Sequence, residues 1–213
     1  MEYGSVLPAG FVVPKSSFHI AKDIATINPF RDVVVPSGCV VMDCGGHIGS
    51  FSAAALESGA GRTFCFEPEP RNFRQLSDNL LRYGSRALAI AAALVATDDP
   101  TVVLMLSGFT GAHSIVKRGS RNKALRVQAM NFRKMLTAIR PQVLKMDVES
   151  AEYDLFDTLQ VGDLQSVVSL FLEFHPIDHR DERMHRVQTF VHDEGLTAVN
   201  TRPRRYTANR VTT

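Results

Sequence analysis

The chain has 213 residues, 45% hydrophobic and 22% charged, which is the composition of one folded domain and excludes a disordered chain. The formal net charge of +2 singles out no class of partner, but it hides an asymmetry: residues 101–146 carry nine Lys and Arg with no acid, and the last twelve residues add four Arg. Cys39, Cys44 and Cys65 lie in apolar runs without metal spacing, and no segment reads as a signal peptide or a membrane span; three buried thiols in a soluble, cytoplasmic protein are expected.

Residues 1–36 are irregular, with prolines at 8, 14, 29 and 36, and read as an N-terminal extension holding one short helix over 18–27. Residues 39–42 form a continuous apolar run, the pattern of a strand buried on both faces. After a glycine loop, Phe51, Ala54, Ala55 and Ser58 keep helical spacing until Gly59 and Gly61. A second apolar strand covers 63–66, and Pro70 opens a helix with Phe73, Leu76, Leu80 and Tyr83 on one face. Residues 87–94 read as a third strand. Residues 102–106 read as another, in a hairpin-like excursion turning at Asp98-Asp99-Pro100. A basic loop follows, then a helix over 131–139 capped by Asn131, a strand over 143–146 and a helix over 151–159. The last elements are an apolar strand over 167–174, a helix over 181–194 ended by Gly195, and a strand from 196. This alternation predicts an α/β fold: a mostly parallel central sheet with helices on both faces.

Ligands in such sheets sit beyond the carboxyl ends of the strands, where strand order reverses. The first strand runs into Asp43-Cys44-Gly45-Gly46-His47-Ile48-Gly49-Ser50. Gly45 and Gly49 permit a tight turn close to a ligand, and the helix after them offers N–H groups to a carboxylate or phosphate. Glu67, at the end of the second strand, is placed to accept both hydroxyls of a ribose. His47 and Ile48 break the G-x-G-x-x-G pattern of a dinucleotide site. Asp43, two residues before the first glycine, suits a cationic amine such as that of S-adenosylmethionine. A strand–turn–helix junction that merely contains glycines is the plainer alternative.

These segments resemble the FkbM family of methyltransferases. Residues 41–52 resemble its first motif, and Phe66-Glu67-Pro68-Glu69-Pro70-Arg71-Asn72-Phe73 its second. Leu144-Lys145-Met146-Asp147-Val148-Glu149-Ser150-Ala151-Glu152-Tyr153 is similar to its most distinctive run, and Glu173-Phe174-His175-Pro176 to its last. The resemblance covers about residues 38–177. It implies a Rossmann-like class I fold, S-adenosylmethionine as cofactor and methylation of a hydroxyl group. A methyltransferase domain over 37–201 and a basic tail over 202–213 follow. The expected cofactor set is Asp43, Gly45, Gly46, His47, Gly49, Glu67, Pro68 and Ala92. His47 and Ser150 depart from the family, which usually has Asn and Gly there.

Asp147 and Glu149 leave one strand at an i, i+2 spacing and point the same way; Glu173 and His175 repeat this after the next. If the two strands are neighbours, four polar groups converge beside the cofactor, with Lys145 one step earlier. Methyl transfer to an alcohol needs alignment and a proton acceptor, which His175 or a crowded carboxylate can supply. The same set could hold a divalent cation. Plainer readings are that Asp147 and Glu149 satisfy the first amides of the next helix, that His175 ends a strand, and that Lys145 pairs with Glu152. His179, His185 and His192 on or near the last helix read as solvated or partner-facing. His113 and Ser114 resemble a loop near the family's active site, and Lys117, Arg118, Arg121 and Lys123 suit an anionic acceptor or a solvated surface. Two rivals share the pocket: an RNA ribose 2′-O-methyltransferase with Lys145 and Asp147 in its catalytic set, and a nonenzymatic nucleoside-binding module.

Overall fold

Val40–Cys44 forms β1, whose side chains alternate between two apolar layers: Val41 packs in one, Met42 and Cys44 in the other. The computed structural model describes residues 7–8, 10–17, 30–108, 112–115, 123–175, 180–202 and 205–210. After β1 come α1 (Ser50–Glu57), β2 (Arg62–Phe66) and α2 (Pro70–Leu80). Glu69 caps α2, accepting from Arg71 N and Asn72 N, and Pro70 occupies its first turn. A 3₁₀ turn, Leu81–Arg86, leads to β3 (Ala87–Ile90).

Here the chain leaves the main sheet. The apolar run expected as one strand is split: Ala91 and Ala92 separate β3 from β4 (Ala93–Val95), which belongs to a second sheet. That sheet is completed by β5 (Thr101–Leu106) and β6 (Lys123–Asn131), in the order β4-β6-β5. β6 was expected as basic loop. It alternates Leu125, Val127 and Ala129 toward a small apolar cluster, with Lys123, Arg126 and Gln128 exposed.

The chain returns through α3 (Phe132–Ile139), capped by Asn131 Oδ1 from Lys134 N, then β7 (Val143–Met146), α4 (Glu152–Phe156), β8 (Ser169–Glu173) and α5 (Arg180–Asp193). β9 (Leu196–Arg202) and β10 (Arg205–Arg210) end the fold. The main sheet has the order β3-β2-β1-β7-β8-β10-β9. Its first five strands are parallel, and β10 is antiparallel to both neighbours. Residues 205–210, read from sequence as part of a basic tail, thus insert into the sheet. Tyr206, Thr207 and Ala208 are buried there, and Arg205 pairs across the strand with Glu173.

One face of the sheet packs on α1 and α2 through Phe51, Leu56, Leu76 and Leu80, with Phe30 edge-on to Phe51 and Phe171. The other packs on α3, α4 and α5 through Phe132, Leu136, Tyr153, Phe156, Val187 and Val191. This is the expected Rossmann-like α/β architecture. All three cysteines are free and buried, and among the described residues no helix is long and apolar enough to cross a membrane. The short helix expected over 18–27 lies outside the described residues.

Candidate active site

Strand order reverses between β1 and β7, so the loops after these strands face the crevice where α/β sheets take ligands. The glycines of the first loop are demanded by the protein's own packing. A Cβ on Gly45, at φ +82°, would lie 1.9 Å from the Asp147 carbonyl oxygen. One on Gly46 would lie 2.1 Å from Cys65 Sγ. Gly49 begins α1 in the left-handed region and leaves the helix without a side-chain cap. Among the described residues no side chain caps the N-terminus of α1, whose dipole favours an anionic group. His47 also adopts positive φ, 52°, a region that Asn and His tolerate better than most residues, so the family's usual Asn and this His meet the same backbone demand.

Glu67 follows β2 and is buried. Its Oε2 accepts from His47 N at 2.8 Å and its Oε1 from Glu69 N at 2.9 Å. Burial outweighs these two amides and pushes the carboxyl up to about 7. The Asn72 side chain is a further donor to this carboxyl. Pro68 and Ala91 line a groove between α2 and β6 with Phe73, Arg74 and Arg126, while Ala92 is buried beside it. None of Asp147, Glu149 or His175 lines that groove.

Asp43, read from sequence as a partner for the cofactor amine, is fully buried on the α1 side of the sheet. Its Oδ2 accepts from Ser52 Oγ at 2.8 Å and Cys65 Sγ at 3.3 Å, and its Oδ1 lies 3.2 Å from Lys145 Nζ. Asp43 and Lys145 are register partners on β1 and β7. Lys145 is itself buried and donates to the Gly45 carbonyl at 2.6 Å. Burial alone would lower its proton affinity; the carboxylates of Asp43 and Asp147 overcome that and hold the ammonium charged. The pair therefore clamps the glycine loop from below.

β7 and β8 are neighbours, and their ends bring the expected groups together. Asp147 Oδ1 lies 3.7 Å, and Glu149 Oε1 3.3 Å, from His175 Nε2. Sequence reasoning missed the third carboxylate. Glu152, wholly buried, accepts from His175 N at 2.6 Å, lies 3.2 Å from His175 Nδ1, and accepts from Ser150 N at 2.8 Å. Lys145 and Glu152 are thus not each other's partners. Nor do Asp147 and Glu149 cap α4, which has no side-chain cap. Tyr153 Oη donates to the His175 carbonyl and fixes the strand end. Burial would depress the His175 imidazole, but its hydrogen bonds to the Glu149 and Glu152 carboxylates and the nearby Asp147 charge push it up to about 11. At neutral pH the ring is an imidazolium among three carboxylates, not a free base.

Glu173, paired with Arg205 at 3.4 Å, is raised by burial and by the charge of Asp147. The backbone bends at Glu149 (φ 54°) and Ser150 (φ 87°), the second being where the family usually has Gly. Ser114 Oγ donates to the Glu149 carbonyl, which pins the excursion sheet against the cluster. His113 instead accepts from Ser107 N through Nδ1 at 3.0 Å. Lys117, Arg118, Arg121, Pro176 and His179 lie outside the described residues. Among the described residues, the donor atoms of Asp147, Glu149 and His175 come within 4.8 Å of one another. A cation there would take the place of the imidazolium proton.

Residues 43–195 match the family described as the methyltransferase FkbM domain. Among solved structures, the chain is similar to precorrin-6Y C5,15-methyltransferase from Geobacter metallireducens, with TM-score 0.49, 14% identity, and coverage of 99% of this chain and 100% of that one. It is also similar to Aeropyrum pernix fibrillarin with natively bound S-adenosyl-L-methionine, with TM-score 0.47, 14% identity, and coverage of 88% and 74%. A third is the C-terminal domain of precorrin-6Y C5,15-methyltransferase from Rhodobacter capsulatus, with TM-score 0.45, 14% identity, and coverage of 99% and 97%. No curated protein sequence matches the chain.

Proposed function

The chain belongs to the FkbM methyltransferase family, and from that premise we propose that it methylates a hydroxyl oxygen of a small molecule, sugar or lipid at the ends of β7 and β8. The observation that carries this reading is the Asp147–Glu149–His175 cluster beside the glycine loop, buried at His175 and open at Asp147, whose side chain is 33% exposed. Bound S-adenosylmethionine supplies an electrophilic methyl group. Its ribose suits Glu67 at the end of β2, and its carboxylate suits the N-terminus of α1, which has no side-chain cap.

The chain's own contribution is alignment and proton removal. Asp147 is the proposed proton acceptor, because it is the accessible carboxylate of the cluster. With the cofactor bound, Asp147 would take the acceptor's hydroxyl proton as the oxygen receives the methyl group. His175, already charged, holds Asp147 and Glu149 in place and offsets their mutual repulsion. Glu152 is a positioning residue that orients the ring. Asp43 and Lys145 act through the loop they clamp. A divalent cation held by the same donors would replace the His175 proton, and turnover with and without chelator reads which of the two the cluster holds.

The buried state of Lys145 weighs against the RNA 2′-O-methyltransferase reading, which needs that ammonium beside the acceptor. Incubation with labelled S-adenosylmethionine and a fractionated host extract tests the acceptor class. Label in small-molecule, glycan or lipid fractions supports the proposal, and label in RNA ribose overturns it. Asp147→Asn is expected to cut turnover by about a hundredfold or more while cofactor affinity stays within threefold. Cofactor binding without transfer to any fraction would favour the nonenzymatic module.

A further inference from the structure

The family match begins at residue 43, yet a segment before it reaches the cofactor loop. Ser17 is 1% exposed, and its Oγ lies 3.3 Å from His47 Nε2. The backbone N–H of the same His47 donates to Glu67, the proposed ribose acceptor, at 2.8 Å. One residue of the loop therefore links the N-terminal segment to the acid at the end of β2.

A second set of bonds fixes the segment independently. Asn79 on α2 is buried. Its Oδ1 accepts from Val12 N at 2.9 Å, and its Nδ2 donates to Val12 O at 3.0 Å and to Ile48 O at 2.9 Å. Val12 and Ile48 are thus joined through one amide side chain, and Phe11 packs against the apolar layer below. The segment 11–17 is held to the loop at both His47 and Ile48. A buried hydroxyl in such a place either contributes to the shape of the loop or costs stability for nothing.

We propose that Ser17 is a positioning residue for the cofactor: through His47 it fixes the loop that receives the methionine end of S-adenosylmethionine. The inference rests on the reading of this loop as the cofactor site. The His47 imidazole and the N-terminal serine then work as a unit. Residues outside the family domain then set how tightly this chain holds its cofactor.

The test is a calorimetric double-mutant cycle on the full chain with Ser17→Ala, His47→Asn and the double variant. S-adenosylmethionine, S-adenosylhomocysteine and adenosine are the titrants. Losing one hydrogen bond of ordinary strength is expected to weaken S-adenosylmethionine and S-adenosylhomocysteine by about three- to tenfold. The double variant should be no weaker than the worse single one, and adenosine, which lacks the methionine part and is reached only indirectly through Glu67, should weaken less than the other two. Melting temperatures report folding separately. Equal weakening of all three titrants, or unchanged affinity in a folded Ser17→Ala protein, overturns the inference and leaves the methyltransferase reading standing. Failure of the unaltered protein to bind S-adenosylmethionine overturns both.

Discussion

Replacing Asp43 with Asn separates two roles for the residue. The substitution keeps shape and leaves an oxygen able to accept from Ser52, but it removes the charge that faces Lys145 at 3.2 Å. Lys145 then keeps only the Gly45 carbonyl at 2.6 Å and Asp147 at 3.9 Å, with both members of the original pair nearly inaccessible to water. Breaking a buried pair by removing one partner costs about 3–5 kcal/mol, because the other charge is left in a poor environment. For a domain of this size each kcal/mol lowers the melting temperature by about 2–4 °C, so a fall on the order of 10 °C is expected. Thermal melting followed by circular dichroism reads that change, and calorimetry at low temperature reads S-adenosylmethionine affinity in the folded variant. The affinity should weaken by less than about tenfold, since Asp43 has no exposed surface to offer a ligand. A variant that melts like the parent but loses cofactor binding altogether would refute the clamp and restore Asp43 as a direct contact.

Nitrogen-15 chemical shifts of the His175 ring should show an imidazolium at pH 8. Its stabilising contribution is complete below the unfolded value of 6.5 and is lost as pH rises toward about 11; a ring that titrates near 6.5 would contradict this. For Glu67 the sign is the same, in a lower window. The unfolded carboxyl titrates near 4.5 and the folded one near 7, so its contribution to stability declines as pH rises through that window. Cofactor affinity should move the other way, weakening as pH falls from about 8 to 6 while the ribose acceptor gains its proton, and Glu67→Gln should flatten that dependence. An affinity that rises on acidification would count against Glu67 as the acceptor.

The parts of the site that lie within one strand–loop–helix segment were legible in the sequence. The glycine loop, Glu67 at the end of β2, and the paired acids after β7 all follow from local pattern. What depended on strand register was not legible. Asp43 is two residues from a glycine loop in sequence, but its chemistry is set by Lys145, about a hundred residues away and directly across the sheet. Glu152 lies on the helix next to Asp147, yet its partner is His175 on β8. β6 carried a readable signal, since Leu125, Val127 and Ala129 alternate with polar residues, but the surrounding basic charge obscured it. β10 was harder to see, because its flanking arginines make a strand look like a tail. Two of them are tied down: Arg205 to Glu173, and Arg210 to the carbonyls of Val167 and Leu164.

The crevice between β1 and β7 is expected to be a cofactor site. Calorimetric titration of the intact protein with S-adenosylmethionine tests it most directly. One saturable site per chain, weakened by Glu67→Ala, is the predicted result; no heat of binding and no rise in melting temperature at saturating ligand would contradict it.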